Sequence, residues 1–178
     1  MPRSATQPQA TAGGADPASD PCAAWLRLDQ QLCFALYAGS LAMTKLYKPL
    51  LAPLGLTYPQ YLVMLVLWEE DGLGVSSLGQ RLSLDSGTLT PLLKRLECAA
   101  LIERRRARDD ERRVDIHLTS AGRELRTQAL TIPHQLACAS ACDLTQLQDL
   151  TLQLQALRTQ LLAHVNEEPK PAGTARSR

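Results

Sequence analysis

Five thiols carry the most versatile chemistry in this chain of 178 residues: Cys22, Cys33, Cys98, Cys138 and Cys142. Their number is odd and no CxxC pair occurs, so the spacing encodes neither a complete disulfide set nor a metal knuckle. His117, His134 and His164 build no metal cluster with them, and no metal or other cofactor is expected. A buried cysteine is ordinarily a small hydrophobe. As a thiolate it is a nucleophile, and a peroxide converts it to a sulfenic acid. Cys33 poses that choice most sharply, because it lies in "LDQQLCFALYAGSLAMTKLY", a stretch with the pattern of an amphipathic helix. Cys138 and Cys142 stand four residues apart, which places them on one face of a continuous helix. Cys98 and Cys22 read as bystanders.

A second set of groups is cationic. From Lys94 to Arg113 the chain has eight basic and five acidic residues, a local net charge of +3 within a formal total of +1. Structural hairpins need no such density of arginine, whereas a segment lying along a phosphate backbone does. Just before it, Ser86–Cys98 read as a helix places Leu89, Leu92, Leu93 and Leu96 in one arc. The outward side then presents Ser86, Thr88, Thr90 and Pro91 near its start and Lys94 and Arg95 further on. Small residues permit close approach to a groove, hydroxyls reach bases or phosphates, and cations meet the backbone. Arg104, Arg106, Arg108, Arg112 and Arg113 extend this surface, with Asp110 placed to orient Arg112.

The elements that must position these groups follow from periodicity and punctuation. Residues 1–21 and 167–178 are rich in Ala, Pro, Ser, Thr and Gly and read as disordered tails. A first helix is expected from about Cys22 or Ala24 to Leu51, stopped by Pro53 and Gly55. A second is expected over Tyr58–Glu69, with Thr57 as its cap. Two short helices, Val75–Leu82 and Ser86–Cys98, follow. Strand-like segments 101–106 and 113–118 flank "ARDDER", and "VDIHL" alternates as a half-buried strand does. A helix from Thr119 or Ser120 to about Cys142, kinked at Pro133, precedes a Leu-rich helix to about Val165. This is a mainly α chain with a small β-wing, a winged helix-turn-helix. One domain is expected over 22–166, with a DNA-binding lobe at about 73–118 and dimerisation helices at 22–56 and 120–165. The longest apolar run, Tyr61–Trp68, is too short to span a bilayer, and no apolar leader core is visible, so the expected location is cytoplasmic.

"DSGTLTPLLKRLE", the Arg-rich segment, "DDERR" and "VDIHLTSAG" together resemble the MarR family of winged-helix repressors. Within it, "LDQQLCFALY" and "LYKPLLAPLGLTYPQYLVMLVLWE" are similar to the organic hydroperoxide resistance regulators (OhrR) of the two-cysteine type. That resemblance implies a homodimer on a pseudo-palindromic double-stranded operator, with an organic hydroperoxide as the signal. It implies that Cys33 is the reactive thiol, that Tyr47 and Tyr58 hydrogen-bond to it, and that Cys138 resolves its sulfenic acid across subunits. Cys142 remains an alternative resolving thiol. Tyr37, Phe34, Leu36, Leu41, Met43 and Leu62 are then candidate pocket walls.

Helix geometry constrains this picture. Tyr47 is fourteen residues after Cys33, about 21 Å away along a continuous helix. If Tyr47 serves a Cys33, it serves that of a second copy. Two other readings stand beside the redox repressor. In one, the same DNA-binding protein responds to a small phenolic ligand and Cys33 is ordinary core. In the other, Cys33 and Cys138 form a thiol peroxidase; the absence of a basic neighbour for Cys33 and the unexplained wing argue for a non-enzyme.

Overall fold

The computed structural model describes residues 25–106 and 113–167. The expected tails apart from Glu167, Cys22, and the wing residues Arg108, Asp110 and Arg112 lie outside the described residues. Two compact units are distinguished, Met1–Thr44 and Lys45–Arg178.

In the first unit a 3-10 turn, Leu28–Gln30, precedes helix α1 (Leu32–Leu51), whose last turns belong to the second unit. The expected start near Cys22 or Ala24 lies outside the described residues, but the helix expected to run on through 25–31 is corrected, since the α-helix begins at Leu32. Arg27 and Gln31 are extended, with ψ of 136° and 118°, and this interrupts the helix before Leu32. Leu26 consequently does not share a helical face with Cys33. Among the described residues of this unit, Trp25, Leu26, Leu32, Phe34, Leu36, Tyr37 and Leu41 are all exposed.

The second unit holds the core. Helix α2 (Tyr58–Glu69) begins as the sequence predicts. The Gln60 side-chain oxygen accepts the Thr57 N–H at 2.9 Å and the Thr57 hydroxyl at 2.9 Å, and Pro59 occupies the first turn, where its missing N–H costs nothing. Val63, Met64 and Leu67 from α2 pack with Leu78, Leu89, Leu93, Leu96 and Ile116. Helices α3 (Val75–Leu82) and α4 (Ser86–Cys98) have the expected bounds. Between them Ser83 takes a left-handed conformation (φ 56°), which turns the chain sharply enough to set α4 against α3.

Strands β2 (Ile102–Arg106) and β3 (Val114–Leu118) pair antiparallel, with Arg104 opposite Ile116 and Arg105 opposite Asp115. The sequence reading missed β1 (Leu73–Gly74), two residues that pair with Ile116 and Asp115 and complete the order β1-β3-β2. Two residues leave no periodicity to read.

Helix α5 (Ser120–Ala129) is capped by the Thr119 hydroxyl, which accepts the Gly122 N–H at 3.0 Å. Its start is clamped to the wing base. A side chain at Gly122 would place Cβ 2.1 Å from the Leu101 carbonyl oxygen, and Trp68 Nε1–H donates to the Gly122 carbonyl at 2.8 Å. The expected single kinked helix is two: α5 ends at Ala129 and α6 (Ile132–Ser140) begins after Leu130 and Thr131, which both stay in the right-handed helical region. Pro133 has no N–H to offer the Ala129 carbonyl, which opens the ladder here. Helix α7 (Leu144–Glu167) opens on a reciprocal cap, Gln146 N–H to Asp143 at 2.7 Å and Asp143 N–H to Gln146 at 2.9 Å.

Candidate functional site

Helix α4 supplies a polar outward face on an apolar footing. Leu89, Leu93 and Leu96 are buried, Leu92 is half-buried, and Ser86, Thr88, Thr90, Pro91, Lys94 and Arg95 are exposed. Asp85 caps the helix: it accepts the Thr88 N–H at 2.9 Å and the Thr88 hydroxyl at 2.9 Å. Those two bonds, the backbone one foremost, hold its carboxyl below the usual aspartate range. The Thr90 hydroxyl donates to the Ser86 carbonyl at 2.6 Å. Both threonine hydroxyl protons are thus committed within α4, and what these side chains present outward is oxygen lone pairs and methyl groups. Lys94 and Arg95 have no ion-pair partner among the described residues.

The wing arginines are not equivalent. Arg104 Nε lies 3.0 Å from Glu97 Oε2, which joins the wing base to the last turn of α4. Arg105 pairs with Glu103. Arg113 donates to the two Asp115 carboxylate oxygens through Nε at 3.1 Å and Nη2 at 3.5 Å. Arg106 is exposed with no ion pair among the described residues. The sequence reading grouped Arg104, Arg106 and Arg113 as one cationic set. The structure distinguishes them, and Glu97, which it had not singled out, is the reason for Arg104. A further tie went unnoticed: Asp71 accepts the Leu118 N–H at 2.7 Å, the Gly72 N–H at 3.0 Å and Arg123 at 2.7 Å, linking the end of α2 to β3 and α5.

The thiols occupy different settings. In the first unit Cys33 is exposed, as are Phe34, Leu36, Tyr37 and Leu41, while Met43 is half-buried. In the second unit Tyr47 and Tyr58 stack with ring centroids 4.7 Å apart. Tyr61, which the sequence reading passed over, continues the stack at 5.8 Å from Tyr47 and meets Trp68 edge-on at 6.1 Å. Its three-residue offset from Tyr58 on α2 was the available signal. Burial, with smaller contributions from Tyr61 and Tyr58, pushes the Tyr47 phenol up to about 12. It therefore stays protonated and able to donate at any physiological pH. Leu62 is half-buried on the same helix.

Cys138 is exposed on α6. Cys142 is not on its helical face, contrary to the sequence reading. Ala141 is left-handed (φ 52°), and its N–H bonds the Cys138 carbonyl at 3.4 Å while the Cys142 N–H bonds the Ala137 carbonyl at 3.3 Å. This helix-ending motif folds Cys142, half-buried, back against the turn that carries Cys138. The Cys142 thiol donates to the Ser140 carbonyl at 3.4 Å. Cys98 is exposed at the end of α4. Among the described residues no cluster of three His, Cys, Asp or Glu side chains is placed to hold a metal, and no single helix is long and apolar enough to cross a membrane.

Comparison with known proteins matches residues 45–128 to the transcriptional regulator SarA/Rot family. The chain is 49% identical over 148 residues to the HTH-type transcriptional regulator TtmR of Methylorubrum extorquens, covering 83% of this chain and 76% of the relative. It is 56% identical over 108 residues to the organic hydroperoxide resistance transcriptional regulator of Bacillus subtilis, covering 61% and 74%. Among solved structures, reduced AbfR bound to DNA superposes with a TM-score of 0.64 at 34% identity, over 78% of this chain and 97% of that one. A disulfide-formed AbfR gives 0.52 at 36% identity, over 75% and 94%.

Proposed function

Because this chain belongs to the MarR family of winged-helix transcriptional regulators, we propose that it is a homodimeric, cytoplasmic repressor that releases its operator when an organic hydroperoxide oxidises Cys33. The two α4 helices enter successive major grooves, with half-sites about one DNA turn apart. Lys94, Arg95 and Arg106 take phosphates, and the wing arginines outside the described residues extend that contact.

The observation that carries the redox reading is the exposure of Cys33 in the first unit, amid apolar side chains that water should not meet; in the second unit the phenols suited to it stack on each other. Fourteen residues of continuous helix would put a Tyr47 about 21 Å along the axis from its own Cys33, out of its reach. A second copy answers both needs: it covers Phe34, Leu36, Tyr37 and Leu41, and it brings its own Tyr47 and Tyr58 to the thiol. The Cys33 thiolate attacks one peroxide oxygen, the O–O bond breaks, and the alcohol departs after taking a proton. The resulting sulfenic acid condenses with Cys138 of the other copy, releasing water and forming a disulfide. Drawing the two sulfurs together shifts the helices that space the α4 pair, and the oxidised conformer fits the operator poorly. Oxidation is a signal here, not a turnover.

The test is operator release on addition of cumene hydroperoxide, with non-reducing electrophoresis in parallel. The parent chain should leave DNA and give a covalent dimer linked Cys33–Cys138. Cys33→Ser should stay on DNA; equal release of that variant would refute the redox reading. A second reading, response to a small phenolic ligand, draws on a cleft of about 190 Å³ lined by Tyr61, Leu65, Trp68 and Arg126. Release of Cys33→Ser by such a ligand, without oxidant, would favour it.

A further inference from the structure

We propose that Cys142 is an exchange thiol: it takes Cys138 away from the intersubunit bridge and closes a Cys138–Cys142 disulfide within one chain. The inference rests on the Cys33–Cys138 reading above. It starts from the end of α6, where the left-handed Ala141 and the bond from the Cys142 N–H to the Ala137 carbonyl bring Cys142 back onto the turn of Cys138. Of the four described thiols, Cys142 alone is half-buried, and its thiol donates to the Ser140 carbonyl. This one contact to a backbone carbonyl is local and leaves the thiol beside the turn that carries Cys138.

In the exchange, the Cys142 thiol loses its proton to solvent and its sulfur attacks Cys138 Sγ. The Cys142–Cys138 bond forms, the Cys138–Cys33 bond breaks, and the electron pair leaves on Cys33. No further oxidant is consumed, since the two oxidising equivalents remain in the protein. The encounter is between neighbours in one chain, whereas the bridge it replaces ties two copies and must displace helices. A strained bridge is the more oxidising and the more readily exchanged. The outcome is a dimer no longer covalently linked, with Cys33 reduced and the oxidation stored at an exposed helix end, open to a dithiol reductant.

The experiment treats the full-length chain with one equivalent of cumene hydroperoxide, traps thiols with an alkylating agent at intervals, and maps bridges by non-reducing electrophoresis and mass spectrometry. The expected result is a dimer band that rises and then decays, as a Cys138–Cys142 peptide appears and Cys33 becomes alkylatable. In Cys142→Ser, and independently in Cys142→Ala, the band should persist at least tenfold longer. An equally long-lived band in the parent chain, or no Cys138–Cys142 peptide, overturns the exchange while leaving the Cys33–Cys138 reading standing. A Cys138–Cys142 bridge formed equally in Cys33→Ser overturns the exchange route. No dimer band in any of these proteins overturns both.

Discussion

Lys94→Ala tests whether the outward side of α4 meets DNA. Lys94 is exposed, and no described carboxylate neutralises it, so its charge is available to a phosphate. A dimer would present it twice. Each phosphate neutralised contributes about 0.9 to the slope of log affinity against log salt, so removing both lysines should lower the slope by about 1.8. Between 50 and 200 mM salt that amounts to about 1.1 decades: the parent should lose about twelvefold more affinity than the variant. The internal comparison is the pair Glu97–Arg104, whose charges are 3.0 Å apart. Making both neutral, Glu97→Gln with Arg104→Gln, removes a charge already cancelled and should move the slope by less than about 0.5. The assay is fluorescence anisotropy on a labelled operator across that salt range. If Lys94→Ala retains the parent slope while the neutral pair loses it, the assignment of free and committed cations is wrong.

Gly122→Ala should be among the most damaging single-methyl changes, because its Cβ would lie 2.1 Å from the Leu101 carbonyl oxygen and backbone must move to relieve it. A loss of about 3 kcal/mol is expected for such overpacking, read as a fall of about 6–12 °C in Tm by circular dichroism. Asp71 predicts an acid limit. Burial pushes its carboxyl up, but the Leu118 N–H, Arg123 and the Gly72 N–H together outweigh that and hold it below the usual aspartate value. The stability this contributes is present above the unfolded aspartate value and is lost as pH falls through the lower folded one. Asp71→Asn should be less stable at pH 6 and should lose less on acidification to pH 3, by urea denaturation. Tyr47 predicts the alkaline counterpart. Its phenol is raised to about 12, so its contribution is complete below about pH 10 and disappears as pH rises through 12. The ring is only half-buried, so Tyr47→Phe should remove about 1 kcal/mol of the alkaline loss, checked by urea midpoints at pH 9 and 11.5.

Much of the fold is legible in local sequence, because caps, breakers and hydrophobic periodicity act within a few residues. Val75–Leu82 and Ser86–Cys98 could be drawn from spacing alone, as could the Thr57 and Thr119 helix starts. The cationic character of 94–113 and the suspicion attached to Cys33 were likewise written in residue type. What the chain could not announce is which charges are already answered. Glu97 cancels Arg104 because a turn of α4 and the first residues of β2 meet at the wing base. Tyr61 enters the aromatic stack because the turn after α1 brings the α2 side chains against Tyr47. Strand β1 exists because β3 has an edge to offer. Local propensity also misjudged two breaks. Among the described residues the first helix begins only at Leu32, and the one expected to run unbroken to Cys142 is two helices, the second ending at Ser140, where a left-handed alanine sets Cys138 and Cys142 off a common helical face. Residue types and spacing thus marked which groups could carry chemistry. Tertiary structure decided which groups are free to use it, because pairing and burial depend on residues far apart in sequence that only folding brings within reach.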